Sequence, residues 1–270
     1  MIAMHTGLPN ASDTLAAAIY YVDFALTMIQ AGVSGVNFHD SWCSAYSPVV
    51  FPAATGSCFT YAPASYQSPH THTHLLCLPR FKDLGSCPDV CGQQVPPMVT
   101  APFYGMLFVQ MALAQLPKML LEDDLGVVVT KEGTEDFSGD DGGVALKAHV
   151  LRVHATHELR VVLIRKDGDT PVNVEVDVAG DYGPGSLSML TGPSWTAKFT
   201  DITLAGQTIS QEGELQGERV VAEVAVEAVA AGSGEGEGQA AGVSRYRVTL
   251  LPASVGLLVI RPRPTQRAQH

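Results

Sequence analysis

Behind Ser12 and Asp13, the apolar residues Leu15, Ile19, Val22, Leu26 and Ile29 recur three and four positions apart, and Gly32 follows the last of them. That period, with a capping residue in front and a glycine behind, predicts a well-buried helix over residues 13–31. The run Val33-Ser34-Gly35-Val36-Asn37-Phe38 is short, apolar and β-branched, which predicts a buried strand and so an α/β unit. From Asp40 to about Pro97 the pattern breaks down. Pro48, Pro52, Pro63, Pro69, Pro79, Pro88, Pro96 and Pro97 punctuate a long irregular excursion, because each denies a helix interior or a central strand. Helical character resumes over Phe103 to Leu113, with Pro102 suited to the first turn.

Beyond residue 125 the period changes to two. Val172, Val174, Val176 and Val178 alternate with Asn173, Glu175 and Asp177, while Leu159 to Ile164 and Val255 to Ile260 are continuous strand-like runs. Turn-forming stretches such as Lys166-Asp167-Gly168-Asp169 and Gly180-Asp181-Tyr182-Gly183 separate them, and the whole predicts an antiparallel sandwich. Residues 231–242 form a Gly/Glu/Ala loop with nothing to bury.

With 46% hydrophobic and 16% charged residues, the 270-residue chain can bury a core. Its net charge of -11, from 16 basic and 27 acidic residues, would repel a nucleic-acid backbone. Residues 1–121 contribute only -2 of that charge, so the acidic second part reads as a separate module. The first glutamate anywhere is Glu122. No secretory leader is legible at Met1. The two most apolar stretches are interrupted by Asp23, and by Gln110, Gln115, Pro117 and Lys118, so core helices are expected rather than a membrane span. The five cysteines (Cys43, Cys58, Cys77, Cys87 and Cys91) are odd in number and leave the compartment open.

Several blocks have the look of a family. Ser12-Asp13-Thr14-Leu15, Ala31-Gly32-Val33-Ser34-Gly35-Val36-Asn37-Phe38-His39, Tyr46-Ser47-Pro48-Val49 and Phe103-Tyr104-Gly105-Met106-Leu107 resemble the last helix-strand-helix of a glycoside hydrolase family 79 barrel, the β-glucuronidase and heparanase-like group. Leu159-Arg160-Val161-Val162-Leu163-Ile164-Arg165-Lys166-Asp167, Leu190-Thr191-Gly192-Pro193-Ser194, Thr203-Leu204-Ala205-Gly206 and Leu251-Pro252-Ala253-Ser254 are similar to that family's C-terminal β-sandwich. The order of the blocks matches from residue 12 to about 261. The resemblance implies an α+β chain: a remnant of a (β/α)8 barrel over residues 1–121, with an irregular Cys/His/Pro-rich insertion at about 40–97, then a β-sandwich over 122–265.

The resemblance also implies retaining hydrolysis of β-linked uronic acids, which needs two carboxylates about 5 Å apart on different strand ends. The family's two glutamates lie on barrel strands before the Ser12-Asp13-Thr14 block, where this chain has eleven residues and no acid. No residue of the chain is therefore expected to be catalytic, and the chain is expected to be a C-terminal fragment or truncated paralogue, inactive alone. His39, Asp40 and Tyr46 are the candidates for the substrate rim, since Asp40 follows a strand whose C-terminal end would face the barrel mouth. Ending a strand and opening a loop is their bland alternative. His5-Thr6-Gly7-Leu8-Pro9-Asn10 departs from the Gly-rich, often Lys-bearing loop with which the family recognises the uronate.

Other polar residues have ordinary expectations. Asp13 reads as a helix cap and Asp23 as a solvated or hydrogen-bonded mid-helix residue. His70, His72 and His74 alternate near Cys77, Cys87 and Cys91, but the spacing is no known finger, and a surface insertion is preferred to a zinc site. His149, His154 and His157 fall in an expected hairpin, the last two flanking its turn, where exposed histidines need no function. Trp195 and Tyr182 suit core packing better than sugar stacking.

No metal or cofactor is expected. The expected partner is a uronic-acid-containing glycan when the barrel is complete, with association through an exposed barrel edge as a further expectation. The full-length family implies an extracellular or lysosome-like compartment. A non-catalytic carbohydrate-binding or structural β-sandwich module is the competing class.

Overall fold

The computed structural model describes residues 8, 10–33, 36, 38, 48–50, 87–88, 94–95, 98–114, 126–131, 146–166, 169–229 and 242–263. Two helices and a set of antiparallel strands make the described chain α+β. It divides into two compact units: residues 1–108, 192–203 and 207–218 form the first, and 109–191, 204–206 and 219–270 the second.

In the first unit, helix α1 (Leu15–Gln30) buries Leu15, Ala18, Ile19, Tyr21, Val22, Ala25 and Leu26, the stripe that the three-and-four spacing dictates. Gly32, at φ 79°, ends it: the N–H groups of Gly32 and Val33 donate to the carbonyls of Ile29 and Met28. Three of the six residues of the expected strand lie among the described residues. Val33, Val36 and Phe38 lie in no strand, Val33 is exposed, and the Phe38 ring stacks on Tyr21 at 4.2 Å. The Phe38 ring thus lies against α1, and of the helix-strand-helix expectation the two helices are observed among the described residues.

Strand β1 (Val49–Val50) pairs with β4 (Met98–Val99), and β2 (Cys87–Pro88) with β3 (Gln94–Val95). Helix α2 (Ala101–Leu113) begins directly after β4, with Pro102 inside its first turn, where the missing N–H costs nothing. A 3₁₀ turn (Phe199–Asp201) and a small hairpin complete the unit.

The second unit is a sandwich of two antiparallel sheets. The first strand is β5 (Val127–Lys131), followed by β6 (Leu146–Val153), β7 (Glu158–Arg165), β8 (Val172–Ala179), β9 (Tyr182–Thr191) and β10 (Thr203–Leu204). The strands of the small hairpin are β11 (Thr208–Ile209) and β12 (Leu215–Gln216); then come β13 (Ala222–Val224), β14 (Val226–Val229), β15 (Val243–Leu250) and β16 (Ser254–Pro262). One sheet runs β10-β9-β16-β7-β6, with β13 also on β9; the other runs β14-β15-β8-β5. Leu159, Val161, Leu163, Leu258 and Ile260 from the first sheet meet Val174, Val176, Val178, Tyr246 and Val248 from the second in one core. The alternation Val172 to Val178 thus marks β8 with one face inward, whereas β7 is buried along both faces.

Candidate functional site

The rim candidates His39, Asp40 and Tyr46 lie outside the described residues, as do His70, His72, His74, Cys77 and Cys91, the Cys87 side chain and most of the loop at 231–242. Among the described residues, the polar side chains gather in three clusters and one histidine-bearing turn, each within a single unit.

At the start of α1, the cap is not the one the local sequence suggests. The Leu15 and Ala16 N–H groups donate to the main-chain carbonyls of Ala197 and Trp195 at 2.9 and 3.0 Å. Asp13 Oδ1 instead accepts from the Asn10 N–H, at 2.7 Å, and Oδ2 pairs with Lys198 Nζ, at 2.8 Å. A helix begins with free N–H donors, and carbonyls delivered by a turn about 180 residues later satisfy two of them. Gly192 completes the junction: a Cβ there would stand 3.2 Å from Leu15 Cδ2, 3.0 Å from Ala197 Cβ and 3.3 Å from the Asp201 carbonyl. Trp195 is half-buried in this turn, not in the sandwich core; Tyr182, on β9, does sit in that core. Asp23 accepts from the Thr27 hydroxyl at 3.4 Å, as its mid-helix position suggested.

The second cluster centres on Glu158, at the start of β7. Arg160 Nε donates to its Oε1 and Arg261 Nε to its Oε2, each at 2.9 Å. Arg160 Nη1 also donates to the carbonyls of Ala112 and Ala114 at 2.7 Å, closing the C-terminal end of α2, where a cation suits the helix dipole.

The third cluster is a ladder on the outer face of the β14-β15-β8-β5 sheet. Arg245 grips Asp177 through Nε and Nη2, both at 2.7 Å; Arg247 bonds Glu175 and Glu227 at 2.9 and 2.7 Å; and Thr249 donates to Asn173. Asp177 pushes the Arg245 guanidinium further up its already high range.

A glycosidase acid/base must carry a proton at working pH and its partner must face the sugar uncompensated. Asp13, Glu158, Glu175, Asp177 and Glu227 are each paired with a cation. These clusters can hold strands and a helix end in register.

His149 differs from its expectation: it is fully buried on β6 rather than exposed. His154 and His157 do flank the β6–β7 turn, exposed, with ring centres 6.5 Å apart. No group of three or more His, Cys, Asp or Glu side chains is placed to hold a metal among the described residues. Nor, among those residues, is any helix long and apolar enough to cross a membrane. The Glu158 and Asp177 networks were not legible from the sequence, since their partners are fixed only by strand register. The one local signal was the alternation of acids along 173–177.

No family model matches the chain, and no curated protein matches it. Among solved structures it is similar to an arabinofuranosidase, at 12% identity and a TM-score of 0.27, over 43% of this chain and 19% of that one. The chain therefore spans less than a fifth of that protein's length.

Proposed function

We propose that these residues form the C-terminal part of a retaining, β-glucuronidase-like hydrolase of glycoside hydrolase family 79: the last barrel helices and the accessory β-sandwich. One observation carries the reading. Two of the blocks that resemble the family, Ser12-Asp13-Thr14-Leu15 and Leu190-Thr191-Gly192-Pro193-Ser194, are far apart in the chain, yet the first meets the Gly192-Pro193-Ser194 end of the second within the first unit. Gly192 lies against Leu15, and the turn after Ser194 caps α1 through the carbonyls of Trp195 and Ala197. Sequence blocks inherited together as one architecture are expected to touch in this way. Three further blocks fall on β7, on the turn after β10 and on the turn into β16.

In this reading the segment is scaffold. The absence of glutamate before Glu122, and the cations that hold Asp13 and Glu158, support assigning the nucleophile and acid/base to barrel strands outside these residues. His39, Asp40 and Tyr46 are proposed as rim contacts to a uronate-bearing glycan.

The test has two parts. The purified 270-residue chain should leave a chromogenic β-glucuronide unhydrolysed, and a protein that continues it upstream with barrel strands and two strand-end glutamates should turn it over. Turnover by the 270 residues alone, abolished by replacing one of their carboxylates, would overturn the reading. So would a full-length transcript whose upstream frame encodes no such strands.

A further inference from the structure

Strands β6 and β7 pair without interruption from Leu146↔Arg165 to Val153↔Glu158, leaving residues 154–157 as the connecting turn. Its base is rigid: Leu151, Val153, Leu159 and Val161 are all buried. The Thr156 N–H donates to the Val153 carbonyl at 3.2 Å, and the Thr156 hydroxyl accepts from the Glu158 N–H at 3.4 Å. His157 closes the turn in the left-handed region, at φ 54°, a conformation that histidine tolerates better than most residues. The result is two exposed imidazoles at the two ends of one tight turn, ring centres 6.5 Å apart and planes inclined at 54°.

We propose that His154 and His157 together chelate a divalent late first-row transition metal, Zn2+ or Cu2+, with water completing the coordination. Two imidazole nitrogens held at about 2.1 Å in a tetrahedral arrangement place their ring centres about 5 Å apart. The observed separation exceeds this by a margin that rotamer changes of two exposed side chains can close. The anchored strand ends prevent the turn from splaying, so little backbone order is lost on binding. Imidazole nitrogen suits zinc and copper, with Cu2+ the tighter of the two by the usual order of divalent affinities. Glu158, the nearest carboxylate in sequence, is already held by Arg160 and Arg261, so it does not join the ligand set. This site is independent of the glycosidase reading, since neither histidine belongs to the blocks that carry it.

The chain has nine histidines and five cysteines, so the readout must be local. Cu2+ is titrated into the full chain while the backbone amide signals of residues 153–158 are followed for paramagnetic broadening. A chelate requires both rings: His154→Ala and His157→Asn should each weaken the hairpin's response at least tenfold, and the double variant hardly more than either. Asn keeps the left-handed conformation at 157, and unchanged amide dispersion elsewhere reports that each variant is folded. Two independent imidazoles would instead give a twofold loss for each single variant and disappearance only in the double. That pattern, or wild-type signals that do not broaden, would overturn the proposal.

Discussion

Arg160 Nη1 donates to the carbonyl oxygen of Ala112 at 2.7 Å, tying a strand of the sandwich to the last turn of a helix 48 residues earlier. The same nitrogen bonds the Ala114 carbonyl, and Nε holds Glu158. One buried cation therefore satisfies a helix end and a buried carboxylate at once.

Replacing Arg160 by Met should accordingly cost about 3 kcal/mol or more, because it leaves Glu158 only an exposed cation and reopens two carbonyls. Arg261 also pairs with Glu158, but its side chain is 75% exposed. Arg261→Ala should stay within about 0.5 kcal/mol of the wild type. Urea midpoints of the two variants measure the contrast. Equal losses would mean that Glu158, rather than the end of α2, sets the cost.

Gly105 lies in α2 against α1. A Cβ there would overlap the Ala18 carbonyl oxygen and stand 3.0 Å from Tyr21 Cβ. Helix propensity favours Gly105→Ala by about 1 kcal/mol. The obstructing atom is backbone, however, and cannot rotate away, so overpacking of roughly 1–3 kcal/mol should win and the melting temperature should fall. Gly242 has nothing within 4 Å of its notional Cβ, so Gly242→Ala should be neutral or slightly stabilising by the same measurement.

Tyr104 accepts the Ile209 N–H at 2.8 Å from a fully buried position. Burial raises its phenol above the ordinary value of 10.0, although the Ile209 hydrogen bond pulls the other way. Tyr246 is raised more strongly, by burial first and by Tyr182 next. Both groups bind their protons more tightly folded than unfolded. Their contribution is therefore whole below pH 10 and drains away as pH climbs from 10 through the folded values. Tyr104→Phe orphans the Ile209 N–H and should cost about 1–3 kcal/mol at pH 8. The variant should also lose less stability than the wild type between pH 10 and 11. Parallel urea midpoints against pH in that window would refute the assignment to Tyr104.

What the sequence made legible follows from how local each cause is. Helix α1 was visible because the spacing of Leu15, Ile19, Val22 and Leu26 is itself the cause of its burial, and β8 because the alternation of its valines is the cause of its inward face. The cap of α1 was misread as Asp13. A short acid before a helix is the usual local solution, whereas the carbonyls of Trp195 and Ala197 arrive from a distant turn. Val33 to Phe38 was expected as strand, but a short apolar run has no period of its own; its described residues Val33, Val36 and Phe38 lie in no strand, and the Phe38 ring stacks on Tyr21. His149 was invisible as a buried residue for a related reason: what covers a strand face is set by its neighbours. The rim candidates His39, Asp40 and Tyr46 rest on the family resemblance and outside the described residues.

Burial also ranks two features of the second sheet against their appearance. Arg247 makes two ion pairs, yet its side chain is 51% exposed, and the Glu227 side chain is 55% exposed. Water and salt screen such pairs, and holding long side chains in place costs entropy, so Arg247→Ala should have little measurable effect on stability. Ser244 makes no ion pair, but it is 4% exposed and serves two strand ends: its Oγ accepts the Tyr182 N–H at 3.1 Å and donates to the Gly180 carbonyl at 2.8 Å. Ser244→Ala leaves a buried donor and a carbonyl unpaired together, which should cost about 1–3 kcal/mol. Chemical denaturation at low and at 1 M salt separates the two effects. The Ser244 loss should persist in salt, and a larger loss from Arg247→Ala at either salt concentration would show that the ionic ladder, not the buried hydroxyl, holds this edge of the sandwich.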